Sequence, residues 1–159
     1  MRVTVVLMVS GWLGASMLFG AVLAPAAFRV LPSRTLAGMV VGGVLPSVLV
    51  AGVVCGGGLA AAAVGHASRR RRSVCLVAAL LLAGGCATGE VIAGWGIDRV
   101  RSAIDGPIGA LADNDPRKIA FGRLHGLSVA ALGVAMAGAV LGLAALLPSI
   151  LSQEKAGAA

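Results

Sequence analysis

Most of the chemistry open to this chain lies between Cys86 and Ser128, where a thiol (Cys86), a carboxyl group (Glu90), a guanidinium (Arg123), an imidazole (His125) and a hydroxyl (Ser128) are set among apolar residues. Glu90 is the only acid inside any of the long apolar runs. A charged acid near a bilayer centre costs about 2.5–3.5 kcal/mol on insertion scales, so such a residue is usually paired, protonated or functional. The expected partner is His125, with Arg123 as the alternative, and the three form a candidate polar cluster. A carboxyl–imidazole pair can relay a proton or hold a cation, or it can hydrogen-bond two helices together and do nothing more.

Cys86, Glu90 and His125 are also ligand types that zinc or copper accepts, although no close-spaced ligand motif accompanies them. A haem held by two histidines is disfavoured, because His66 and His125, the only two, are expected at opposite membrane faces. Hydrolase chemistry has no starting point: there is no second inward carboxylate, no GxSxG and no tyrosine. Asp113 and Asp115 read as turn and capping residues rather than calcium ligands. No enzyme activity and no cofactor are expected.

The elements that must position these groups follow from composition. Of 159 residues 58% are hydrophobic and 12% charged, with mean hydropathy +0.99, far from the roughly one-quarter charged of soluble domains. A helix needs about 20 mostly apolar residues to cross a bilayer. Residues 3–28 and 35–68 carry no charge, 73–97 carry only Glu90, and 124–153 carry none. The expected fold is all-α: a four-helix transmembrane bundle of two antiparallel helical hairpins. Its helices should span about 3–31, 36–64, 73–104 and 116–147 within a domain of residues 1–151, followed by a loose tail at 152–159. The first stretch imitates a signal peptide, but its apolar part is longer than a cleaved signal's, so it is read as a retained span.

In the first helix, Ser10, Gly14, Met17 and Ala21 make a narrow small-residue face open to a neighbour, with Trp12, Ser16, Phe19 and Leu23 on another face. Pro25 should kink its end and Pro32 stop it. The second helix, capped by Ser33 or Thr35, pairs Gly38 with Gly42 and Gly52 with Gly56 for close packing, and bends at Pro46. The third carries Cys75, Ala79, Leu82, Cys86, Gly89 and Glu90 on one stripe, and Trp95 as an interfacial anchor. An amphipathic connector breaks at Gly106–Pro107. Asp115–Pro116 opens the fourth helix, which Pro148 should end; Gly122, His125, Gly126, Val129, Gly133 and Met136 form the stripe expected to turn His125 inward.

The net charge of +7 points to lipid rather than nucleic acid, since the basic residues flank the apolar runs without interleaved aromatics. Arg69, Arg70, Arg71 and Arg72 form a dense basic turn suited to anionic headgroups. That density sets the expected orientation: turn and both termini cytoplasmic, in a bacterial cytoplasmic membrane. Three cysteines, two of them mid-span, imply no disulfide.

Two motifs resemble a known family. Gly11–Trp12–Leu13–Gly14 followed by Pro25, Phe28, Pro32 and Ala37–Gly38, and then Phe121 to Ser128 (FGRLHGLS), are similar to the transmembrane protein 205-like family, domain of unknown function 4149. The resemblance implies a four-helix membrane protein and makes Trp12, Pro25, Phe28, Phe121, His125 and Ser128 motif positions; it implies no settled activity. The leading expectation is thus a non-catalytic scaffold or partner-binding module of the membrane, as a homo-oligomer or with a membrane partner. The alternative is a small ion or metal transporter using Glu90 and His125.

Overall fold

The computed structural model describes residues 2–65, 68–104 and 106–157, with side chains as far as Pro148. These residues form helices and short connections, with no strand among them. The first span joins α1 (Arg2–Leu18), a π-turn (Phe19–Leu23) and α2 (Ala24–Val30), and the second is α3 (Arg34–Val64). The third joins α4 (Arg69–Val91), a second π-turn (Ile92–Ile97) and α5 (Asp98–Ser102). A 3-10 turn (Ile108–Ala110) leads to α6 (Pro116–Gly157), the fourth. All four spans are long and apolar enough to cross a membrane. Even the 29-residue first span is about 43 Å long, so each outreaches a hydrocarbon core of about 30 Å and must tilt or protrude.

The helices alternate in direction. Met8 and Trp12 of α1 meet Cys55 and Val48 of α3, and the packing of Gly56 on Ala83 and of Gly89 on Leu49 runs α3 and α4 antiparallel. On α6, Ala131 and Ala135 lie against Gly85, while Gly138 lies against Ala78 and Leu82. Both α1 and α4 pack on α3 and α6, so α1 and α4 occupy opposite corners of the bundle.

Glycines set the close approaches. A Cβ on Gly138 would sit 2.6 Å from the Leu82 amide nitrogen and 2.8 Å from the Ala78 carbonyl oxygen. On Gly85 it would sit 2.7 Å from the Ala131 carbonyl oxygen, and on Gly56 2.7 Å from the Ala83 Cβ. Backbone thus touches backbone along α4, where van der Waals packing replaces the hydrophobic effect that lipid does not supply. Leu49, Leu59, Leu82, Cys75, Cys86 and Leu146 fill the interior between these contacts.

Chain ends and turns are tied locally. Ser33 Oγ accepts from the Leu36 amide at 3.2 Å, and Asp115 Oδ1 accepts from the Arg117 amide at 2.8 Å, satisfying first-turn donors of α3 and α6. Arg2 donates to the Gly65 carbonyl, placing the N-terminus beside the end of α3. The connector reverses at Gly106, whose φ of 120° favours glycine.

Three expectations are corrected here. The four arginines do not form a turn; Arg69 to Arg72 are the first turn of α4, where four cations meet the positive end of the helix dipole with no acid among them. Pro148 does not end α6, which continues to Gly157: a proline removes one backbone bond but leaves the flanking turns intact, so residues 152–157 of the expected loose tail are helical. On α1 the faces are reversed, for Val5, Val9, Trp12, Ser16 and Phe19 are buried while Ser10, Gly14, Met17 and Ala21 are exposed. The indole of Trp12 instead packs on Gly52 of α3, and its Nε1 donates to the Val48 carbonyl at 2.8 Å.

Candidate functional site

The stripe Cys75, Ala79, Leu82, Cys86, Gly89 is buried as its spacing predicts, and Glu90 sits at its edge, half-buried. Its Oε2 is sealed from solvent and has no hydrogen-bond partner. Beyond Glu90 the backbone leaves α-geometry at Ile92, so the carboxylate stands at the mouth of a π-turn, a rare element that occurs often at functional sites.

His125 does not meet it. The imidazole is exposed, lying parallel to the ring of Phe121 one turn earlier, with centroids 6.3 Å apart and planes at 2°. Arg123 is exposed too. Among the described residues no hydrogen bond or ion pair joins Glu90 to either. The physical reason lies in which stripe of α6 faces α4. Leu124 lies against Gly96 and Ala131 against Gly85 and Gly89, so the inward stripe is Leu124, Ser128, Ala131, Ala135 and Gly138; His125 is about 100° round the helix from Leu124. Gly122, Gly126 and Gly133 have open space where a Cβ would project, and Val129 is 58% exposed. Only Met136 of the expected inward stripe packs against the core. The Leu124–Gly96 contact also sets depth: His125 is level with Trp95, which is 82% exposed, whereas Glu90 lies about 9 Å deeper than Gly96.

The candidate metal ligands do not converge. Cys86 is wholly buried against Gly52, one turn from Glu90, and His125 faces away. No group of three His, Cys, Asp or Glu side chains among the described residues could hold a metal ion. His66 and Asp105 lie outside the described residues. Of the motif positions, Trp12 and Ser128 are buried at 5% and 6% exposure, Phe121 is half-buried, and Pro25 and Phe28 are exposed. Arg69 to Arg72 are exposed, as headgroup contact requires.

Among the described residues, two ion pairs tie the connector to the start of α6. Arg117 pairs with Asp115 at 2.9 Å, and Lys118 pairs with Asp113 at 2.7 Å while also donating to the Leu111 carbonyl. The hydrogen bonds and positive charge of these partners hold both carboxyl groups below the usual aspartate range. Their work is to fold the connector over the start of α6.

Ser16 was missed as a site residue by sequence reasoning. It is 1% exposed, and its hydroxyl has no hydrogen-bond partner. The available signal was its place four residues after Trp12 on the same face, since a hydroxyl beneath a buried indole must find a partner or remain an uncompensated cost.

A family model described as a domain of unknown function (DUF4149) matches residues 7–101, covering the first motif and three spans but not residues 121–128. No curated protein and no solved structure matches the chain.

Proposed function

The chain belongs to the DUF4149 family of domains of unknown function, and on that premise we propose that it is a non-catalytic membrane module which binds another transmembrane helix through the outer face of α6. The observation that carries this is the open stripe Gly122, Gly126 and Gly133, with His125 and Val129 between them. A glycine inside a helix costs about 1 kcal/mol relative to alanine. Within this bundle the buried glycines bring backbones together, but these three touch nothing. Gly122 and Gly126 have small-xxx-small spacing, which lets a second helix approach to backbone distance, and the imidazole beside them can donate or accept across the seam.

The occupant is a second copy of the chain or a partner helix of like character. The bundle sits in a bacterial cytoplasmic membrane with both termini and Arg69 to Arg72 on the cytoplasmic side, the arginines on anionic headgroups worth about 1 kcal/mol each. A transporter working through Glu90 and His125 has less support, because the two groups are unjoined and the open apolar grooves between the first two spans include neither.

Subunit counting by single-molecule photobleaching in vesicles tests the proposal. The wild type should self-associate, or co-purify with a membrane partner of defined stoichiometry, and Gly126→Leu should weaken that association about tenfold or more while the thermal midpoint is kept. A wild type monomeric at every lipid dilution and without such a partner, or association unchanged in Gly126→Leu, would remove this face from consideration.

A further inference from the structure

The second span is packed unevenly along its length. Between Arg34 and Val48 only Ala37 of α3 is buried, whereas seven residues are buried between Leu49 and Val64, so the half nearer Arg34 is largely uncovered. The first span does the same beyond Phe19, for no residue of α2 is buried and Val22 and Leu23 of the π-turn are exposed. Between these two loose halves runs an apolar groove of about 540 Å³. Leu18, Val22, Ala26 and Val30 of the first span line it in four-residue steps, with Leu31 of the connecting turn and Val40 of α3. From Leu18 to Val30 the groove runs about 18 Å, close to one leaflet's half of a hydrocarbon core of about 30 Å.

Two observations say what fills it. The walls named are branched side chains and alanine with no glycine, so no helix can bring its backbone as close as packing in lipid requires, whereas a flexible hydrocarbon chain can lie along them. The second observation is charge. Residues 2–64 contain no acid, and Arg29 and Arg34 are exposed with no hydrogen-bond or ion-pair partner among the described residues. Arg29 follows Val22 by seven residues and Ala26 by three, which keeps it on the face that lines the groove, and Arg34 follows Leu31 by three. Both guanidinium groups therefore stand at the end of the groove where headgroups lie. At the opposite end of the two spans the one basic residue, Arg2, donates to the Gly65 carbonyl.

We infer that this groove holds one anionic phospholipid, with an acyl chain between the first span and α3 and its phosphate on Arg29 and Arg34. A guanidinium matches phosphate oxygens with paired, charge-assisted hydrogen bonds. An ammonium-bearing headgroup would set a third cation beside the two arginines, with no acid on either span to offset it, so the site selects net charge as well as phosphate. The lipid joins two halves that protein atoms leave uncovered, and it stabilises the folded chain by binding it. The site shares no residue with the α6 face described above and is tested separately from it.

The test is native mass spectrometry and thermal unfolding of the purified, delipidated full chain in detergent, titrated with phosphatidylglycerol, phosphatidylcholine of the same acyl chains, or inorganic phosphate. Phosphatidylglycerol should raise the midpoint by roughly 2–4 °C more than phosphatidylcholine and saturate as a single retained lipid. Arg29→Gln combined with Arg34→Gln should weaken its apparent affinity about tenfold or more, and Ala26→Phe, which fills the groove and keeps both arginines, should do the same with helix content unchanged. Equal responses to the two lipids overturn the site, as does a preference for phosphatidylglycerol that survives in either variant. A midpoint raised as far by inorganic phosphate overturns it in favour of a surface anion site without the groove. If Ala26→Phe does not fold, the wild type and the double arginine variant decide the matter.

Discussion

The two ends of α6 use the same residue for opposite purposes. Toward the C-terminal end, Gly138 and Gly142 are pressed against Leu82 and Leu59, and a Cβ at either would collide. Toward the N-terminal end, Gly122, Gly126 and Gly133 face open space. One helix thus has an inner face consumed by its own bundle, where Gly138 and Gly142 lie, and an outer face left open, where Gly122, Gly126 and Gly133 lie. A small-residue stripe marks a face fit for close approach without saying whether the neighbour belongs to the same chain.

The largest expected effect breaks the symmetry between those ends. Gly138→Leu should cost about 3 kcal/mol or more, because the clash is with backbone of α4 and the helices must part; Gly126→Leu should leave unfolding within about 0.5 kcal/mol of wild type. Chemical denaturation in mixed micelles measures both, and equal destabilisation would mean that the outer face at Gly126 is packed after all.

Much of the fold was legible for a simple reason: spans of this length without charge have no soluble alternative, and backbone satisfaction in lipid leaves helices as the solution. The buried stripe of α4 was legible because Cys75, Ala79, Leu82, Cys86 and Gly89 keep helical phase. Facing was not legible for α1 and α6. In water an apolar face turns inward, but here every face is apolar, and phase alone cannot tell Leu124 from His125 as the inward residue. The inference that His125 meets Glu90 failed at that point. Ser16 escaped notice because a lone serine in a span can also bond its own backbone. The π-turns escaped because hydropathy carries no trace of an i→i+5 bond, although Pro25, which cannot donate to Ala21, sits just beyond the first of them.

A smaller effect sharpens the contrast between the filled side of the bundle and the open one. Trp12→Phe removes both the donor to Val48 and part of the indole volume packed on Gly52, and should cost about 2 kcal/mol in the same denaturation assay. A loss near zero would show that neither the N–H donor nor the packing of the indole on Gly52 stabilises the bundle.

The smallest effect belongs to the connector. Asp113 and Asp115 are held below their ordinary range, so they stabilise the fold above the unfolded aspartate value, about 4, and that contribution fades as pH falls through their lowered values. Both pairs are partly exposed at the surface and screened by salt, so Asp115→Asn at pH 7 should move the thermal midpoint less than Trp12→Phe does. A larger shift would make the connector, rather than the spans, the seat of cooperativity.

Each π-turn houses one residue more than an α-turn would need, while the helix on either side keeps its own angular phase. The first and third spans therefore have a built-in allowance for length. Losing one residue inside Phe19–Leu23 or Ile92–Ile97 would restore ordinary winding and spare the interior on both flanks, whereas the same loss inside α3 would rotate everything beyond it by about 100°. Homologues of unequal span length should differ first at these two points.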